Sequence, residues 1–265
     1  MFNNIFLKTL RDKRKTFLWW TIGILFLSIW YNIMYKTIEG VGLSGMNKMM
    51  ESEFMQGFLG GVYDLSTPEG WLSTELLPLL GPIIFIVFGV SFASSEITGE
   101  EKEGTLNLLL SGPISRSRFF LQKFFAMTVD ISGLGGVFWI SNIIGTSAAG
   151  MKLSYLSLAE VSFSLVFLGL TFGSLVLALG GLTSKRGIGI GSASTIAVVS
   201  YLLNSMSQIV EELKPLRPAS VFHYYDGAEV LKNGINFADI GILLGGILVL
   251  LTIGLYGFQY RDIGT

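Results

Sequence analysis

Charged residues are swept out of six long stretches of this chain, and the apolar runs that remain predict six membrane-spanning helices. They cover residues 16–35, 76–95, 120–150, 161–184, 187–209 and 240–260. A bilayer core about 30 Å thick takes roughly 20 apolar residues in helical form, and each run meets that length. The third is uncharged only from Phe124 and is interrupted by Asp130. The first follows Lys8, Arg11, Lys13, Arg14 and Lys15, as a cleaved leader would. Its apolar core is too long for one, and no small-residue cleavage site follows Tyr35. It is read as a retained anchor, with Trp19, Trp20, Trp30 and Tyr31 near its two ends. The fold class expected is all-α integral membrane.

Composition agrees with that class. Of 265 residues, 51% are hydrophobic and 14% charged, with a mean hydropathy of +0.61, where a soluble domain carries about 25% charged residues. Net charge is −1, so there is no basic footprint for nucleic acid. Cysteine is absent, which excludes disulfide scaffolds, thiolate metal sites and cysteine nucleophiles together. The 33 glycines suit closely packed membrane helices.

Sidedness follows from Lys and Arg. With a cytoplasmic amino terminus, 12 of them fall in inner segments and 6 in outer ones, Lys36, Lys48, Lys152, Lys214, Arg217 and Lys232. Both termini are therefore expected inside, with outer segments at 36–75 and 211–239. Ahead of the first span, Phe2, Ile5, Phe6 and Leu10 recur at helical spacing with Lys8, Arg11 and Arg14 on other sides. This predicts an interfacial helix on the inner leaflet, the alternative being a solvated tail.

Several membrane chemistries lack their residues. No Gly-rich loop ending in Gly-Lys-Ser/Thr is present to hold phosphates; Gly180-Gly181-Leu182-Thr183-Ser184-Lys185 has the wrong order and closes a span. His223 is the only histidine, against the paired histidines of a helical zinc site. A GxSxG elbow is missing as well. An ATP-driven role would need the nucleotide site on another chain.

The connector between the second and third spans, residues 96–118, is the most informative stretch. It has an acidic turn (Glu96, Glu100, Glu101, Glu103), a short helix with Leu106, Leu109 and Leu110 on one side, and a Gly112-Pro113 stop. Ser115 is placed to cap the helix that carries Arg116, Arg118 and Lys123 into the third span. A two-signed surface beside an apolar stripe suits a soluble partner; a plain charged connector is the alternative reading.

The run Glu96, then Glu103-Gly104-Thr105-Leu106, then Leu109-Leu110, Pro113 and Ser115-Arg116 resembles the cytoplasmic loop of ATP-binding-cassette (ABC) transporter permeases of the type-2 exporter family. Gly112 departs from that pattern, where a bulkier residue is expected. The opening Leu10 to Lys15, the outer stretch from Arg217-Pro218 through Tyr224-Tyr225 to Gly234, and the ending Tyr260 to Ile263 are similar to the family in the same order. The resemblance implies a permease in the cell membrane that pairs with a second copy or homologue above two cytoplasmic ABC ATPase subunits. Those subunits would hold ATP and magnesium, and this chain would bind no cofactor and catalyse no reaction itself. It implies export, a coupling helix in the connector, and short re-entrant helices between the fifth and sixth spans. By resemblance Glu96, Glu100, Glu101, Glu103, Gly104, Thr105 and Leu106 belong to the ATPase contact.

Asp130 lies seven residues past Lys123, roughly 10 Å into the third span. Intramembrane carboxylates are expensive and mark function by default. An interhelical ion pair or hydrogen bond, a pathway lining and a proton relay are the three readings; Lys123, Lys185, Arg186 or a serine are the partners in reach. The alternative function is an ion-coupled secondary transporter using Asp130; a membrane-embedded enzyme has too few polar residues in its spans. Glycines at small-xxx-small spacing, Gly169/Gly173 and Gly241/Gly245, with Gly187, Gly189 and Gly191 opening the fifth span, serve close packing within the subunit, or a substrate path or dimer face.

Overall fold

The computed structural model describes residues 4–39, 65, 67–102, 104–110, 114–183 and 185–261. All regular structure among them is helical, and six helices are long and apolar enough to cross a bilayer. The first, α1, runs from Ile5 to Glu39 without a break. At about 1.5 Å per residue its 35 residues exceed the bilayer core. The amphipathic opening and the first span, separate elements in the hydropathy pattern, are therefore one helix. The reason is tertiary: the backbone N–H groups of Ile5 and Phe6, without partners of their own at a helix start, donate to Gln122 Oε1 of the third span at 2.9 and 3.3 Å. Ile5 is buried there.

Most of the outer segment 36–75 lies outside the described residues. Its end is a short helix, α2 (Pro68–Thr74), capped by Thr67. It docks on α1, where Tyr31 donates to the Trp71 carbonyl at 2.9 Å and the Trp71 indole donates to the Tyr31 carbonyl at 3.2 Å.

The second span opens as a π-helical turn, Leu76–Leu80, and continues as α3 (Gly81–Glu96). Proline explains the change of pitch. In the π turn the Gly81 N–H bonds to Leu76 O, so Leu77 O would need the N–H of residue 82, a proline with no donor. The Tyr225 hydroxyl donates to that carbonyl instead, at 2.8 Å. Tyr225 is buried, and that burial, with Asp226 beside it, pushes its phenol well above the usual range. Tyr225→Phe leaves a buried acceptor unpaired and is expected to lower stability by about 1–3 kcal/mol, read as a lower thermal midpoint of the purified protein.

Two short helices, α4 (Thr98–Lys102) and α5 (Thr105–Leu110), form the connector. The third span is α6 (Arg116–Ala149); Ser115 caps it as its position predicts, accepting from the Arg118 N–H. Gly150, at φ 75, ends it in the left-handed conformation open to glycine. The fourth and fifth spans are α7 (Tyr155–Leu182) and α8 (Arg186–Met206). Between fifth and sixth lie 3₁₀ turns at Glu211–Ala219 and Val221–His223, then α9 (Gly227–Asn233), which packs on the fourth span, α2 and the π turn. The sixth span is α10 (Phe237–Tyr260).

The fourth span is the most enclosed and packs against the second, third, fifth and sixth; the first packs mainly on the third. Glycines set the approach. A Cβ on Gly89 would lie 2.5 Å from Gly169 O, and one on Gly173 2.7 Å from Met127 Sδ. The Gly169/Gly173 face is thus used within the subunit, against the second and third spans. Gly241 and Gly245 have nothing within 4 Å of a built Cβ. The contact of the sixth span with the fourth is made instead by Gly254, paired with Gly181, and by Gly257 against Leu182.

Candidate functional site

The connector is held to the bundle by charge. Glu96 ends the second span, and α4 and α5 carry Glu100, Glu101 and Thr105 beneath it. Lys123, two turns into the third span and only 2% exposed, places its ammonium 2.6 Å from Glu96 Oε2 and 2.6 Å from Glu100 Oε1. Its stem lies among aromatic rings, with Nζ 5.4 Å from the Phe119 centroid. Two carboxylates on one lysine leave a negative excess. It is offset from the first helix: Lys13 Nζ lies 3.2 Å from Glu96 Oε1 and Lys8 Nζ 3.7 Å from Glu100 Oε1.

A second clamp sits on the sixth span. Arg261 bonds Glu101 Oε2 at 2.6 Å and Gly180 O at 2.9 Å, and its own carbonyl accepts from Arg116 Nη1 at 2.6 Å. Thr105 closes the network locally, donating to the Glu100 carbonyl at 3.1 Å. A buried pair of this kind contributes little net stability, yet its partners position one another closely, and removal of one leaves an uncompensated charge. The arrangement therefore couples the connector mechanically to the first, third, fourth and sixth helices.

The residues predicted as a contact region divide by placement. Glu96 is 3% exposed and faces inward; Glu100 and Glu101 are partly buried in ion pairs. Leu106 is buried in the apolar core with Leu109. Thr105 is half-buried, and Gly104 (φ 72) is exposed beside exposed Lys102. Glu103 lies outside the described residues, as do Ser111, Gly112 and Pro113. Lys123, Lys13 and Arg261 were not among the residues singled out for this site. A lysine set between Phe119-Phe120 and Phe124-Phe125 is the signal that would have marked the first.

Asp130 stands apart. It is buried in the third span, its Oδ2 has no hydrogen-bond partner, and among the described residues it makes no ion pair. Of the partners expected for it, Lys123 is taken by the two glutamates. Among the described residues no three His, Asp or Glu side chains converge as a metal site would require.

Six apolar helices with a charged connector clamped to them define a multi-pass membrane protein. The family model described as "ABC-2 family transporter protein" matches residues 3–263, and the chain belongs to that family. It is a membrane permease of the ABC-transporter type, and membership implies association with ABC ATPase subunits. No curated protein matches the sequence.

Proposed function

We propose that this chain is the permease half of an ATP-driven exporter. Two copies, or one copy and a homologue, form the path, and two cytoplasmic ATPases bind beneath residues 96–118. ATP and magnesium reside on the ATPases, both termini face the cytoplasm, and the complex sits in the cell membrane. The observation that carries this reading is the network around Lys123 and Arg261, which ties the connector to four spans at once while Lys102 and Gly104 stay exposed. A push on that connector is delivered to the bundle through short ion pairs rather than through a slack loop. Within the contact segment, Lys102, Glu103, Gly104 and Thr105 are assigned to the ATPase surface. Glu96, Glu100 and Glu101 anchor that surface from behind, and Leu106 seats it in the core.

Co-expression with cassette ATPases of the same genome, purification by a tag on this chain and an ATP-hydrolysis assay test the reading. An ATPase is expected to co-purify, and Lys102→Glu and Glu103→Arg, each made singly, are expected to reduce its recovery about tenfold or more, as a charge reversal at an interface does. A chain that purifies without any ATPase and moves an ion when reconstituted would overturn the proposal in favour of ion coupling through Asp130.

A further inference from the structure

The first span leans on the third and the second on the fourth, which leaves a cleft between first and second. A cavity of about 230 Å³ occupies the cleft at the end of the bundle that carries the amino terminus. Its mouth is cationic. Lys13 reaches in from the first helix, bonded to the Ser95 hydroxyl, and Arg186 from the start of the fifth span, with Nη2 3.3 Å from Ser94 Oγ. The nearest acid is Glu96, which Lys13 shares with Lys123: its Oε1 lies 3.2 Å from Lys13 Nζ and its Oε2 2.6 Å from Lys123 Nζ; Arg186 makes no ion pair among the described residues. Deeper in, the walls are aromatic. Phe17 and Phe92 line the cavity, and Trp20 meets Phe88 edge to face at 5.6 Å, closing it above the cations. Lys13 and Trp20 are seven residues apart on one helix, about 10 Å along its axis.

We propose that this cleft binds the phosphate monoanion of an anionic membrane lipid, with its upper acyl region against the aromatic wall. Several features converge on that chemistry. A guanidinium and an ammonium at one rim supply the donors that a phosphate oxygen accepts. Basic pockets between spans at headgroup depth select anionic lipids. A phosphate in the mouth also neutralises Arg186, the rim cation that has no carboxylate partner among the described residues. The apolar walls favour an amphiphile over a free anion, because a bare phosphate fills the rim and leaves Phe17, Trp20 and Phe88 facing empty volume. The site does not use the exposed residues Lys102 and Gly104 of the connector, although Lys13 also pairs with Glu96 behind it, so it does not depend on the direction of transport or on the identity of the ATPase.

Native mass spectrometry of the purified full chain tests this with three probes: dioleoylphosphatidylglycerol, dioleoylphosphatidylcholine and sodium phosphate. The phosphatidylglycerol adduct is expected to be retained about tenfold more strongly than phosphatidylcholine. Arg186→Gln and Lys13→Gln are expected to erase that preference, while Lys185→Gln, an exposed neighbour outside the cavity, leaves it intact. Both lipids binding equally, or Lys185→Gln losing as much as Arg186→Gln, would overturn the assignment. Displacement of the lipid by millimolar phosphate would equally overturn it, making this a small-anion site. An unchanged thermal midpoint for Arg186→Gln separates loss of binding from loss of fold.

Discussion

Lys123→Met is expected to be among the most damaging single substitutions outside the glycine contacts, destabilising the permease by about 3–5 kcal/mol, the range seen when one partner of a buried pair is removed. The methionine fits the stem's channel, so the loss is electrostatic. Glu96, 3% exposed, and Glu100, 13% exposed, lose a cation that lies 2.6 Å from each. Lys13 and Lys8 compensate only in part: Lys13 holds the other oxygen of Glu96 at 3.2 Å, and Lys8 stands 3.7 Å from the Glu100 oxygen that Lys123 holds at 2.6 Å. Size-exclusion recovery after a heating series reads the shift. A triple variant, Glu96→Leu with Glu100→Leu and Lys123→Leu, is expected to regain most of the stability, because the three buried charges go together and Lys13 and Lys8, 22% and 34% exposed, keep access to solvent. If the ion pairs transmit force to the bundle, that variant still fails to support ATP-driven transport. A single Lys123→Met variant with an unshifted midpoint would refute the buried network.

Gly89→Ala is expected to cost about 3 kcal/mol, the upper end of the overpacking range. Its Cβ would stand 2.5 Å from the Gly169 carbonyl oxygen and 3.5 Å from Gly173 Cα. Those are backbone atoms of the enclosed fourth span, so no side chain can swing away and the two helices must separate. Gly181→Ala, whose Cβ meets Gly254 O at 2.5 Å, is expected to behave alike. Gly241→Ala and Gly245→Ala supply the internal control: nothing lies within 4 Å of either position, and alanine favours a helix over glycine by about 1 kcal/mol. Equal expression and equal thermal midpoints across all four variants would contradict the packing described.

Legibility varied with how local each feature is. Hydropathy found the six spans because the transfer free energy of a 20-residue segment into a bilayer is nearly a sum over its own residues. The Ser115 cap was equally visible, since a cap depends on one side chain and the three residues after it. The separate interfacial helix was not supported as a discrete element. Residues 5–15 continue into the first span as one helix, and its start is held by Gln122, more than a hundred positions away. The glycine faces divided for the same reason: Gly169/Gly173 and Gly241/Gly245 carry identical spacing, but only the first pair meets a neighbouring helix.

The acidic connector shows where local reading stops. Its residue types and order were enough to mark it as the functional stretch, and the family match over residues 3–263 agrees with the resemblance found there. Sequence by itself therefore determined that this is an all-helical membrane protein of the ABC-2 kind, because lipid selects composition segment by segment and a family pattern is a string. Only the tertiary structure decided that Glu96 and Glu100 turn inward to Lys123, that Arg261 clamps Glu101, and that Lys13 and Arg186 share one cavity. Each of those facts depends on which helix faces meet, and that is set by packing between distant segments, which no single window of the chain contains.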